Sequence, residues 1–195
     1  SAFAWYPYSQ WDAAGDIWLS STSDYYNNSY ALMDGTYWYQ TLMHEIGHSL
    51  GLAHSQEANR YDEKTYGTDS KYGGIHNASP YTIMAYPEYV GEPLDVAENI
   101  FSRSTSLMID DIAALQHLYG VNEQYNSSDD IYTINSFNNG TYTSLYGHDN
   151  IYASIWDAGG EDTFSWSDQS TQARINLNGG QFSTFGNISG PNDLD

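Results

Sequence analysis

A chain of 195 residues, 40% of them hydrophobic, is long enough for one ordinary domain, or for one domain and part of a second. Its 25 acidic residues against 5 basic ones give a net charge of -20, which excludes nucleic acid and anionic membranes as natural partners, because phosphate contacts need Lys and Arg. Cysteine is absent, so there is no disulfide and no thiolate metal ligand, and no apolar run approaches the ~18 residues of a membrane-crossing helix. The acidity has two readings, a self-repelling soluble surface or carboxylates that bind Ca²⁺.

In chain order, residues 1–8 are apolar and aromatic and read as a strand ending at Pro7, and 15–19 read as a second strand. Residues 20–30, rich in Ser, Asn and Tyr, read as a loop. From 37 to 50 the pattern is helical, with Leu42, Ile46 and Leu50 as the expected buried stripe and His44 and His48 off that stripe, facing a cleft. Residues 55–80 read as a long irregular loop. A second helix is expected over 108–119, with Ile109, Ile112, Ala113 and Leu115 on one face. Asp110 and Asp111 in its first turn suit the positive end of the helix dipole, and Gly120 stops it. After Val121 come short strand-like runs at 131–134, 141–145, 151–156, 163–166, 174–177 and 181–185. The fold class is therefore α+β, with a β-rich second region beginning near 121–128.

The run from His44 to His54 reads H-E-x-x-H-x-x-G-x-x-H. On a helix, positions i and i+4 share a face, so His44 and His48 point the same way. Gly51 ends the helix, since glycine turns there at little cost, and His54 arrives as third ligand. Three neutral imidazoles suit Zn²⁺ and leave a fourth position open for water. Zinc so held polarises a carbonyl and lowers the pKa of water to about 7. Glu45, beside His44, is placed to take the water's proton and pass it to a leaving amine, so amide hydrolysis is the natural reaction. A zinc that only staples the fold would want a fourth protein ligand, usually Cys, and there is none. His76, His117 and His148 lack ligand spacing and are not assigned to zinc.

The segment Tyr81-Thr82-Ile83-Met84-Ala85-Tyr86-Pro87 follows. An extended zinc motif followed by a Met-containing turn resembles the metzincin clan. The resemblance implies a zincin-like catalytic domain in which Met84 forms a tight turn under the zinc histidines. Tyr86 matches the tyrosine of the astacin and serralysin branches, where it is a further ligand of the resting zinc and swings away to stabilise the oxyanion. Residues 110–120 (DDIAALQHLYG) resemble the helix that closes the serralysin catalytic domain. Residues 156–164 (WDAGGEDTF) resemble the segment that opens its calcium-binding β-roll, and 174–178 resemble the next roll strand. Residues 3–7 look like the edge strand beside the cleft, along which substrate backbone pairs.

From residue 2 to about 186 the chain thus resembles serralysin-type zinc endopeptidases. The resemblance implies the C-terminal part of a zinc metalloprotease domain over 1–122 and the beginning of a β-roll over 123–195. It also implies structural Ca²⁺ held by Asp157, Gly159 and Asp162 with Asn126, Ser128 and Asp130, and a second calcium site involving Gly160. Protein or peptide substrates, a proteinaceous inhibitor, and one-step secretion from a bacterium to the extracellular space are implied as well.

Three features depart from the family. Ser55 stands where serralysins have Pro, and Pro87 follows the tyrosine. Only 43 residues precede His44, so the expected sheet is incomplete, apolar surface on the active-site helix is expected to be uncovered, and the chain is expected to be a piece of a longer protein. No full G-G-x-G-x-D-x-U-x repeat is present, so the roll is expected to be only begun. Two alternatives stand beside the protease: a noncatalytic calcium-stabilised binding module, and an inactive fragment of an active enzyme.

Overall fold

The computed structural model describes residues 2–21, 35–55, 76–90, 92, 103–133, 152–167 and 170–185. The expected strand at 141–145, most of the loops at 20–30 and 55–80, and His148 lie outside the described residues.

Strands β1 (Ala2–Ala4) and β2 (Ile17–Leu19) pair antiparallel, with Phe3 opposite Trp18. The first is shorter than expected, although Trp5 continues the ladder through bonds with Asp16 and Gly15. Side chains alternate across a strand. Ala2, Ala4, Ile17 and Leu19 are half-buried, while Phe3 and Trp18 are exposed on the other face and stack on each other. Small alanines on the inner face let a helix approach the hairpin closely.

That helix is α1 (Tyr37–Ser49), which lies against both strands. Its N-cap is Thr36, whose hydroxyl accepts from Tyr39 N at 3.2 Å and satisfies one of the free donors of the first turn. It ends through Leu50, after which Gly51 takes φ +99° and Leu52 N returns to Gly47 O at 2.9 Å.

The expected stripe on this helix is wrong. Ile46 is 38% exposed and Leu42 and Leu50 are only half-buried, whereas Gln40, His44, Glu45, Gly47 and His48 are buried. The reason is close approach. The turn at 82–85 sits under the histidine face, and a Cβ at Gly47 would lie 2.5 Å from Met84 Sδ. Glycine at this position makes the polar-looking face the packed one.

Leu52, Ile83, Met84 and Met108 form the core, with Met43, Leu107, Ala114, Leu115 and Tyr152 packed around it. Met108 is also the N-cap of α2 (Ile109–Tyr119), which ends at Gly120 with φ +88°. One expectation for α2 is corrected: Ala113 is exposed, and Ala114 turns to the core instead. Asp110 and Asp111 stand in its first turn as expected, and Asp111 is buried there, 2% exposed. Three donors that meet its carboxylate, Met108 N, Ile83 N and Thr82 Oγ1, offset its loss of water. A second buried charge, Arg103, pairs with Glu88 at 2.6 Å and donates its backbone N–H to Gly35 O. This joins the segment after Tyr86 to the entry of α1.

In the β-rich part the strands are shorter than expected. Strand β3 (Ile131–Tyr132) pairs parallel with β4 (Thr163–Phe164), and β5 (Ala173–Arg174) pairs antiparallel with β6 (Thr184–Phe185). The run at 151–156 forms no strand among the described residues, and Tyr152 makes one isolated parallel bridge to Ser104.

Candidate metal centre

His44 and His48 lie one turn apart on α1, and each is fixed by its own carbonyl. His44 Nδ1 is 2.8 Å from Ile83 O, and His48 Nδ1 is 2.8 Å from Leu52 O. A carbonyl oxygen only accepts, so both Nδ1 atoms carry the proton and both Nε2 atoms present lone pairs. The reversal at Gly51 brings His54 beside them, with ring centroids 4.5 Å from His48 and 5.1 Å from His44.

His48 Nε2 and His54 Nε2 are 3.1 Å apart. Two nitrogens bound tetrahedrally to Zn²⁺ at about 2.0–2.1 Å would sit about 3.3 Å apart, so the donor set fits zinc with little adjustment. Burial holds His44 down at about 4, with His48 and His54 adding to the effect, against the pull of the bond to Ile83. It is therefore neutral at physiological pH, as a ligand must be.

Glu45 is buried next to His44, and desolvation raises its carboxyl above the ordinary range. Tyr86 is half exposed, and its hydroxyl lies 2.9 Å from His54 Nε2. Tyr6, just after β1, sets its ring edge-on to His48 at 5.3 Å, so the edge strand ends beside this cluster. Ser55, the odd residue after the third histidine, donates its hydroxyl to the buried side chain of Asn77. Proline could make no such bond. His76 pairs with Asp110 at 2.7 Å and His117 is exposed, and neither joins the three histidines.

A second cluster lies in the β-rich part. One oxygen each of Asp130, Asp157 and Asp162 falls within 4.8 Å of the others. Asp162 Oδ1 accepts from Asp130 N at 2.9 Å, and Asp157 Oδ1 accepts from Gly159 N at 2.9 Å. Asp130 Oδ2 is buried without a hydrogen-bond partner among the described residues. Three converging carboxylates with one such oxygen are the hard donor set that suits Ca²⁺.

Of the other residues expected here, Ser128 approaches through its carbonyl, which would lie 2.3 Å from a Cβ at Gly160, so only glycine fits there. Asn126 has φ +47°, and its amide donates to Tyr132 Oη at 3.1 Å and to Trp156 O at 3.4 Å.

Sequence reasoning missed two residues. Asp111 ties α2 to the turn under the histidines, and Tyr132 donates to Asp157 Oδ2 at 2.6 Å. That bond and the one from Gly159 hold Asp157 below the usual carboxylate range, while desolvation and the bond to Asp157 push Tyr132 up. Neither residue belongs to a spacing motif, and only the fold brings each to its partner.

Comparison with known proteins gives two family matches. Residues 12–119 match the reprolysin-like model of metallo-peptidase family M12B, and residues 121–193 match the C-terminal model of the peptidase M10 serralysins. Among curated relatives, Serralysin C of Dickeya chrysanthemi is 38% identical over 192 residues, which is 97% of this chain and 38% of that protein. Metalloprotease AprA of Pseudomonas entomophila is 34% identical over 200 residues, covering 97% of this chain and 39% of the relative. Serralysin of Photorhabdus luminescens is 33% identical over 192 residues, covering 97% and 38%. The chain thus spans about two fifths of the length of these relatives.

Proposed function

The chain belongs to the serralysin-type metalloproteases, and from that premise we propose that it is a zinc-dependent endopeptidase acting on proteins or peptides. One observation carries the reading: ring nitrogens of His44, His48 and His54 converge within 4.8 Å of one another, with His44 and His48 held by carbonyls on Nδ1, beside a buried Glu45. Those histidines would hold Zn²⁺, with Tyr86 as a further ligand at rest. The metal when bound supplies a Lewis acid that polarises a carbonyl and acidifies water.

The protein residues do the rest. The edge strand β1 aligns the substrate backbone beside the histidines. Glu45, made more basic by desolvation, takes a proton from the attacking water and delivers it to the leaving amine. Tyr86 turns its hydroxyl to the oxygen that gains charge.

In the same reading Asp130, Asp157, Asp162, Ser128, Gly159 and Asn126 hold a structural Ca²⁺ at the opening of a β-roll, with Gly160 contributing to a second calcium site. The division at 1–122 and 123–195, and export to the extracellular space, belong to this proposal too. The division is supported by the adjoining family matches. No helix among the described residues is long and apolar enough to cross a membrane.

The test is zinc content together with cleavage of an unstructured protein substrate, for the chain and for Glu45→Ala. We expect chelator-sensitive cleavage that falls by several orders of magnitude in the variant while zinc is retained. Equal cleavage by the variant would sink the mechanism. The limited span of the relatives that is covered favours a second reading, in which the chain takes up zinc but cleaves only as part of a longer protein. Zinc uptake without cleavage by either form would select it.

A further inference from the structure

We propose that Asp111 is a positioning residue for the metal ligand His44, acting through the peptide of Ile83. The inference rests on the zinc reading above and goes beyond it, since Asp111 touches none of the histidines.

Asp111 is 2% exposed and stands in the first turn of α2. Its Oδ1 accepts from Thr82 Oγ1 at 2.6 Å, and its Oδ2 accepts from Ile83 N at 2.9 Å and from Met108 N at 2.8 Å. Thr82 Oγ1 in turn accepts from Met84 N at 2.9 Å. Three successive residues of the turn are therefore held by this carboxylate, two directly and one through a single hydroxyl.

Ile83 is the link. Its N–H is bound by Asp111 and its C=O receives His44 Nδ1 at 2.8 Å. A carbonyl held at this place and angle fixes both the tautomer and the ring plane of His44. His48 is fixed by a different carbonyl, that of Leu52, which comes from the chain reversal after α1 and has no bond to Asp111.

All three groups that meet the carboxyl group are donors, and an amide in its place turns its N–H₂ either on the two backbone N–H groups that share Oδ2 or on Thr82 Oγ1, which must then give up its bond as donor. The bland alternative is that Asp111 merely caps α2 and fills the core, and that alternative makes a different prediction, because a general loosening would reach both histidines alike.

The experiment uses the full chain, its Asp111→Asn variant and Met108→Ala, a neighbouring core truncation that keeps the backbone bond to Asp111. Imidazole nitrogen shifts are read by NMR on the metal-free proteins, and zinc affinity is read by competition with a chelator. For Asp111→Asn we expect His44 to lose its uniform Nδ1-protonated form, His48 to keep its own, and zinc affinity to fall about tenfold. Met108→Ala should unfold earlier with both histidines and the zinc affinity unchanged.

Unchanged His44 and unchanged affinity in Asp111→Asn would overturn the proposal, and so would His44 and His48 altered together. Should that variant not fold, Thr82→Val reads the same path and is expected to shift His44 alone in the same direction. Failure of the zinc reading is separately visible as a wild-type chain that takes up no zinc. The tautomer comparison on the metal-free chains then decides the role of Asp111 by itself.

Discussion

Tyr86 and Asp111 show how much depends on one side chain. Tyr86 keeps its hydroxyl 2.9 Å from His54 while half its surface stays in solvent, a placement that allows it to move. If it stabilises developing charge, Tyr86→Phe will lower kcat about 10²-fold or more with KM nearly unchanged, as loss of one oxyanion donor does. A loss confined to KM would contradict that role. For Asp111, burial pushes the carboxyl up to about 6 from 3.8, against three hydrogen bonds that pull it down. The folded chain therefore binds this proton more tightly than the unfolded chain. The stability that the group contributes is fully present below 3.8 and is lost as pH rises through about 6, a swing of about 3 kcal/mol. Urea unfolding of the metal-free chain should show wild type gaining on Asp111→Asn as pH falls from 7 to 4. A pH-independent difference would rule this out.

At the scale of elements, α1 is built around a contact that a hydrophobic pattern does not reveal. Its buried face carries Gly47, and Met84 Sδ occupies the space a side chain there would need. Gly47→Ala should overpack this contact and destabilise the chain by about 1–3 kcal/mol, read as a lower melting temperature. An alanine tolerated without loss would mean that Met84 can move away freely. The same contact explains why the Leu42, Ile46, Leu50 stripe misled. Those residues follow helical periodicity, but periodicity reports which residues share a face and not which face meets the core. The C-terminal end of α1 was readable, because the left-handed Gly51 is local chemistry, whereas the Thr36 cap at the other end came from the structure.

Over the whole molecule, the charge of -20 reads differently once three of its carboxylates are seen to converge. If Asp130, Asp157 and Asp162 hold Ca²⁺, a calcium-selective chelator should lower the melting temperature. At a calcium concentration 100 times the dissociation constant the loss is about 2.7 kcal/mol. Asp157→Asn should abolish most of that response. An identical melting curve with and without calcium would remove the ion from the account.

That three histidines would meet beside a glutamate, that a glycine turns the chain between them, and that two helices exist were legible in the sequence alone. The site depends on short-range spacing and backbone geometry within the eleven residues from His44 to His54, and each helix on the periodicity of its own segment. Only the tertiary structure decided which face of α1 is buried, that Asp111 lies inside the molecule, that His76 pairs with Asp110, and that Tyr132 meets Asp157. Each of these is a contact between residues at least 25 positions apart or a matter of which surface packs on which. Such facts follow from the arrangement of elements around Met84 and Met108, not from any local pattern.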